Sequence, residues 1–212
     1  MARHVPIKIS KTLDGPSTAY VFLLVVFIMG SVSGAFAVKT LSPVQNDELI
    51  TYVQGVLQTF SPLPWEDVLT NAKASFWGNI GKTVGLMWVL GLSVLGAPFI
   101  LALAFLRGFV LGFTVAFMVQ GLMAKGIALA FASVIPHNLL NVPGIILAGG
   151  ASFGFSLSAL KVLFGRGKVN IAHKFVNTGI LILLASVCIG LGALVESYIT
   201  PMLIEVTTRY LP

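Results

Sequence analysis

The sequence is poor in charge. Only 9% of its 212 residues are Asp, Glu, Lys or Arg, against about a quarter in a soluble domain. There is one cysteine, Cys188, set within an apolar run, so no disulfide framework can exist. Histidine is also scarce, at three residues, and neither a second His nor an acid pair stands near His137 in the apolar block. That excludes a metal centre of ordinary ligand number. There is no Ser-His-Asp set, phosphate-binding glycine loop or HExxH. The sequence therefore points to no enzyme and to no metal or other cofactor. The 13 basic residues exceed the 7 acidic ones but sit in short flanks, not in one patch, which argues against a nucleic-acid partner.

What is present is apolar surface: 57% hydrophobic residues and a mean hydropathy of +0.96. The chain reads as one membrane domain over residues 1–212, all α, with about five transmembrane helices. Residues 1–18 carry Arg3, Lys8 and Lys11 against Asp14 and form a cytoplasmic tail by the positive-inside rule. Ala19 to Val38 is about 20 apolar or small residues, enough to span. Its rival is a cleaved signal peptide with an A-x-A site at Ala35-Phe36-Ala37. The run exceeds the usual length of a signal core, which favours a retained anchor.

Residues 39–75 are the one sizeable polar segment and contain two basic against four acidic residues, fitting an extracytoplasmic loop. Leu49, Ile50, Val53, Val56, Leu57 and Phe60 recur at helical spacing. This predicts an amphipathic helix capped at Asn46 or Asp47 and ended by Ser61-Pro62-Leu63-Pro64. Its apolar face either packs on the membrane domain or lies in the interface, or it docks a partner through Leu49, Val53, Val56 and Phe60.

Residues 76–164 form the central helical block, broken at Gly96-Ala97-Pro98, at Arg107-Gly108, at Gly121 to Gly126 and between Pro136 and Pro143. Such breaks need freed backbone groups to be buried in protein or to face a wet cavity. Two parses are open at the first break. One turns there and carries Arg107 into the membrane. The other keeps a kinked helix to about Phe105 and leaves Arg107 as an anchor at the inner surface. An arginine at bilayer centre costs at least about 2.5 kcal/mol on insertion scales, which favours the second. The Pro136 to Pro143 stretch is either a broken or re-entrant element or the outer end of a long helix plus its turn. Lys161, Arg166, Lys168 and Lys174 then mark residues 165–174 as a cytoplasmic loop. A last crossing runs from Phe175 to about Tyr198. The N-terminus is inside and the C-terminus outside.

Four GxxxG patterns, Gly30/Gly34, Gly81/Gly85, Gly108/Gly112 and Gly150/Gly154, predict close backbone approach, within one chain or in a homo-oligomer. His137 is either a proton relay or a partner, with Asn138 and Asn141, for backbone groups freed by the two prolines. Glu196 sits too near a membrane end to suggest a transport carboxylate.

The runs Phe76-Trp77-Gly78-Asn79, Leu95-Gly96-Ala97-Pro98 and Arg107-Gly108-Phe109-Val110-Leu111-Gly112-Phe113-Thr114, followed in order by Pro136-His137-Asn138, Pro143 and Ala148-Gly149-Gly150, resemble the stage II sporulation protein M family. The resemblance covers about residues 18 to 200. It marks Pro98, Arg107, Gly108, Gly112, Pro136, His137, Asn138 and Pro143 as family-motif positions. It implies a non-enzymatic scaffold of the engulfment complex of endospore formers. That scaffold would anchor two peptidoglycan hydrolases, stage II sporulation proteins D and P, at the sporulation septum and mother-cell membrane. They thin the septal wall while the membrane migrates around the forespore. The alternative from the residues alone is a small transporter or channel using the Pro136 to Pro143 break.

Overall fold

The computed structural model describes residues 17–59, 70, 73–74, 77–78, 80–93, 96–165 and 170–210. Among these the chain is helical throughout, with no strand. Helix α1 is Ser17–Ala37. A single 3-10 turn, Val38–Thr40, leads to α2, Pro43–Thr59. A π-helical segment, Ile80–Gly85, runs into α3, Leu86–Leu92. Then come α4, Gly96–Ser133, α5, Ile135–Leu163, and α6, Ile171–Leu194. A second π-helical turn, Val195–Ile199, joins α6 to α7, Thr200–Tyr210.

Four helical stretches are long and apolar enough to cross a membrane: Thr18–Thr40, Gly96–Gly121, Ile135–Leu163 and Ile171–Thr207. The fifth expected pass is shorter. The π segment and α3 contribute six and seven residues, a rise of roughly 20 Å. They run alongside α5 in the same direction, since Val84 and Met87 meet Ile145 and Ala148 while Gly91 meets Ser152 further along both.

The bundle alternates in direction. Helix α1 is parallel to the first part of α4: Gly30 faces Phe105 and Gly34 faces Phe109, while Gly108 faces Phe27 and Gly112 faces Ser31. The two glycine pairs interlock so tightly that a Cβ at Gly34 would stand 2.0 Å from the Phe109 carbonyl oxygen and one at Gly112 1.9 Å from that of Ser31. Two of the four GxxxG patterns are thus satisfied within one chain. The other two are not used this way: a Cβ at Gly81 or Gly154 would meet nothing, and Gly150 lies under the Tyr20 ring. Helices α5 and α6 are antiparallel, with Gly144 against Ile189 and Gly192 against Asn141.

Helix α4 is not straight. Ser133 Oγ lies 3.7 Å from Met118 Sδ, although fifteen positions of straight helix rise roughly 22 Å. The axis therefore doubles back between these residues, the region where the sequence has Gly121 and Gly126. Of the two readings open for the Pro136 to Pro143 stretch, the structure adopts a helical one. Pro136 occupies the first turn of α5 and Pro143 lies within it. The chain continues into that turn almost helically, through Val134 N–H to the Ala130 carbonyl at 2.9 Å.

Lys161 and Lys174 mark one end of the bundle. Helix α2 lies at the other, where Ile50 packs on Gly121. Of the proposed docking face, Leu49 and Val53 are half-buried beside Ile50. Phe60 and the side chain of Val56 lie outside the described residues. The outward ridge of α2 is instead Val44, Glu48 and Tyr52, with Tyr52 70% exposed.

Candidate functional site

The favoured parse around Arg107 is corrected by the structure. The chain turns at Ser93 to Gly96, where Ser93 N–H bonds the Leu90 carbonyl at 3.0 Å and Gly96 N–H that of Ser93 at 3.1 Å. A new helix starts at Gly96, with Pro98 exposed in its first turn. Arg107 then falls roughly 16 Å along α4, near the middle of the span Gly96–Gly121 and not at the inner surface. The insertion penalty that argued against this position is offset by a polar environment assembled from elements distant in sequence.

That environment is a cavity of about 290 Å³ between α4, α5 and α6. From α4 it is lined by Arg107, Val110, Leu111 and Thr114, whose spacing of three, four and seven puts them on one face. From α5 come His137, Asn138 and Asn141, and from the second π turn Glu196. A π turn carries an extra residue and rotates the next stretch of helix about its axis, a device common at functional sites. Glu196 is close enough to His137 to act on it electrostatically.

Within the cavity Asn138 serves the backbone as expected, its Nδ2 donating to the Val134 carbonyl at 2.8 Å. His137 does not. Its Nε2 lies 2.9 Å from the same Asn138 amide nitrogen. Because that nitrogen is a donor, Nε2 accepts, and in the neutral ring Nδ1 carries the proton. Nδ1 is buried without a hydrogen-bond partner. Asn141 is 7% exposed, and its Oδ1, packed beside Gly192, also lacks a partner. Buried polar atoms in this state are rare and call for an explanation.

The other motif positions hold the frame. Gly108 and Gly112 form the α1–α4 seam, and Pro136 and Pro143 bracket the α5 part of the lining. Sequence reasoning set Glu196 aside as too near a membrane end and missed Thr114. The seven-residue spacing of Arg107 and Thr114 could have revealed the α4 face. Glu196 carried no such signal, because a regular helical wheel does not anticipate a π turn. Among the described residues no cluster of His, Cys, Asp or Glu is suited to a metal ion.

No curated protein and no solved structure matches the chain. The family model for stage II sporulation protein M matches residues 23–201, a stretch that includes the seam, the cavity and every motif position named above. This multi-pass membrane protein thus belongs to the stage II sporulation protein M family.

Proposed function

We propose that the protein is a non-enzymatic scaffold of the engulfment complex, holding the hydrolases stage II sporulation proteins D and P at the septal membrane while the wall is thinned. The family match over residues 23–201 carries this proposal. The architecture supports it: a glycine-locked bundle presents α2 at the end opposite Lys161 and Lys174, with Val44, Glu48 and Tyr52 facing outward.

The test is co-purification from sporulating cells. Glu48→Lys with Tyr52→Ala should leave the protein in the membrane at normal level and lose both hydrolases, with engulfment stalled at an unthinned septum. Full recruitment by this variant would remove the ridge as the docking surface. Leu49→Asp with Val53→Asp is a poorer test, since these side chains are half-buried on the bundle side. In a Cys188→Ala background, a cysteine at Asp47 should react with an impermeant reagent added outside and one at His173 should not.

The polar cavity favours a second reading, a small transporter or channel at the Pro136 to Pro143 region. Ion or solute flux in proteoliposomes, lost in Glu196→Gln, would establish it in place of the scaffold.

A further inference from the structure

The cavity has a direction. Leu103 packs on the same cluster as Ile145 and Ala148, and α4 and α5 run in opposite directions from there at about 1.5 Å per residue. Arg107 therefore lies deepest. Asn141 follows, facing Gly192, and His137, Thr114 and Glu196 are nearest the end that carries α2. A cation at the bottom and a carboxylate at the top line one chamber, with the buried amide of Asn141 and the N–H of His137 between them.

It also has one open side. Helices α4 and α6 barely touch and stand apart across α5, which forms the back wall. The end nearest α2 is roofed, because Ile204 of α7 packs on Leu129 and Ala132 of the returning part of α4. Val110 lines the chamber yet is 61% exposed, so it stands at the mouth. The surface beside that mouth includes Leu106, one turn before Val110 on α4 and exposed. In a membrane-spanning bundle such a face meets acyl chains.

We propose that this cleft is a headgroup site for a phospholipid carrying a zwitterionic primary amine, of the phosphatidylethanolamine class. The order of charges fits such a lipid from the leaflet on the α2 side, with its headgroup drawn sideways through the mouth to the depth of Arg107, below its ordinary level in the bilayer. Its phosphate is attached on the glycerol side and lies deeper, toward Arg107, where the His137 N–H can also donate to it. Its ammonium is the outermost group and meets Glu196. A bidentate or charge-assisted pairing at each end gives the cleft its selectivity, and a quaternary amine, which has no N–H, cannot satisfy the carboxylate in the same way. The lateral mouth favours a lipid over a free zwitterion of the same chemistry.

The full chain, delipidated in detergent, is titrated with phosphatidylethanolamine, phosphatidylglycerol and phosphatidylcholine of identical acyl chains, and bound lipid is counted by native mass spectrometry. The ethanolamine lipid should bind about tenfold tighter than either rival, the scale of one charge-assisted hydrogen bond. Glu196→Gln should erase the preference over phosphatidylglycerol, and Glu196→Asp should keep most of it. Val110→Trp, at a largely exposed position, should block the mouth and remove the tight site. Equal binding of the three lipids, or an unchanged preference in Glu196→Gln or in Val110→Trp, overturns the proposal. Binding of free phosphoethanolamine without binding of the lipid also overturns it and assigns the cleft to a soluble zwitterion.

Discussion

Helix α4 has two working sides. Toward α1 it offers Gly108 and Gly112, and the two backbones meet with no room for a side chain. Toward α6 it offers Arg107, Val110, Leu111 and Thr114, and the helices stand apart around a polar chamber. Residues 107 and 108 are neighbours in sequence, about 100° apart on the helix, yet they serve opposite ends. In the seam, association comes from close packing, because lipid tails are as apolar as any side chain and supply no hydrophobic drive. In the cleft, packing is given up, and His137 Nδ1 and Asn141 Oδ1 stay without a hydrogen-bond partner. The rigid seam is what lets the cleft remain open: α4 is held from behind, so it need not collapse onto α6.

The largest effect should come from breaking the seam. Gly112→Leu drives a side chain into the Ser31 backbone. Overpacking typically costs about 1–3 kcal/mol, and here the obstacle is main chain, which cannot rotate away. Loss of the folded protein from the membrane, or a sharply lower Tm in detergent, is the expected result. Gly154→Ala, where a Cβ meets nothing, should be neutral. Equal behaviour of the two variants would show that the seam does not hold the bundle.

Next comes a contrast in accessibility. In a Cys188→Ala background, Thr114→Cys lines the cleft and should react with a small thiol reagent. Ser31→Cys, half-buried beside the α1–α4 contact, should react more slowly. Comparable labelling rates would mean that the seam opens as readily as the cleft.

A smaller effect, with the unusual sign, is expected at Asn141. An unsatisfied buried polar group costs about 1–3 kcal/mol, and Asn141 Oδ1 is one. Asn141→Leu should therefore raise stability, by about 1 kcal/mol after allowance for imperfect fit, read as a higher Tm. Destabilisation would mean that the amide is hydrogen-bonded in the membrane. The smallest change is predicted for His137→Gln, which keeps a donor and an acceptor and should leave Tm close to wild type.

How far this could be foreseen differs between the two sides of α4. The seam was legible: Gly30/Gly34 and Gly108/Gly112 stand out at spacing four, though nothing in sequence said that they would find each other in parallel within one chain. Gly81/Gly85 and Gly150/Gly154 show the same spacing without the same packing, so the pattern alone does not assign partners. The all-helical membrane class and its passes followed from hydropathy and break residues. The depth of Arg107 did not, because the energetic argument treated the arginine as facing lipid. Its polar company is contributed by residues 30 and 89 positions further on, His137 and Glu196. Spacing along one helix does not reveal such a neighbourhood. The apolar face of α2 stayed open between packing on the bundle and docking a partner for a related reason: amphipathic spacing identifies such a face but not whether the protein itself covers it, as Gly121 does at Ile50.

The parallel pairing of α1 with α4 has a consequence for biogenesis. Two parallel crossings cannot be consecutive in the chain, so α1 enters the membrane well before its partner is synthesised. At roughly 5–20 residues per second of translation, α1 waits several seconds with Gly30 and Gly34 turned toward lipid. During that interval its best available mate is another nascent α1, since the same small-residue face favours helix dimers. Correct assembly is then a race between chain elongation and encounters with other copies. Slower synthesis of the α2 to α4 stretch, or higher expression, should favour mispaired species even where the finished protein is fully stable.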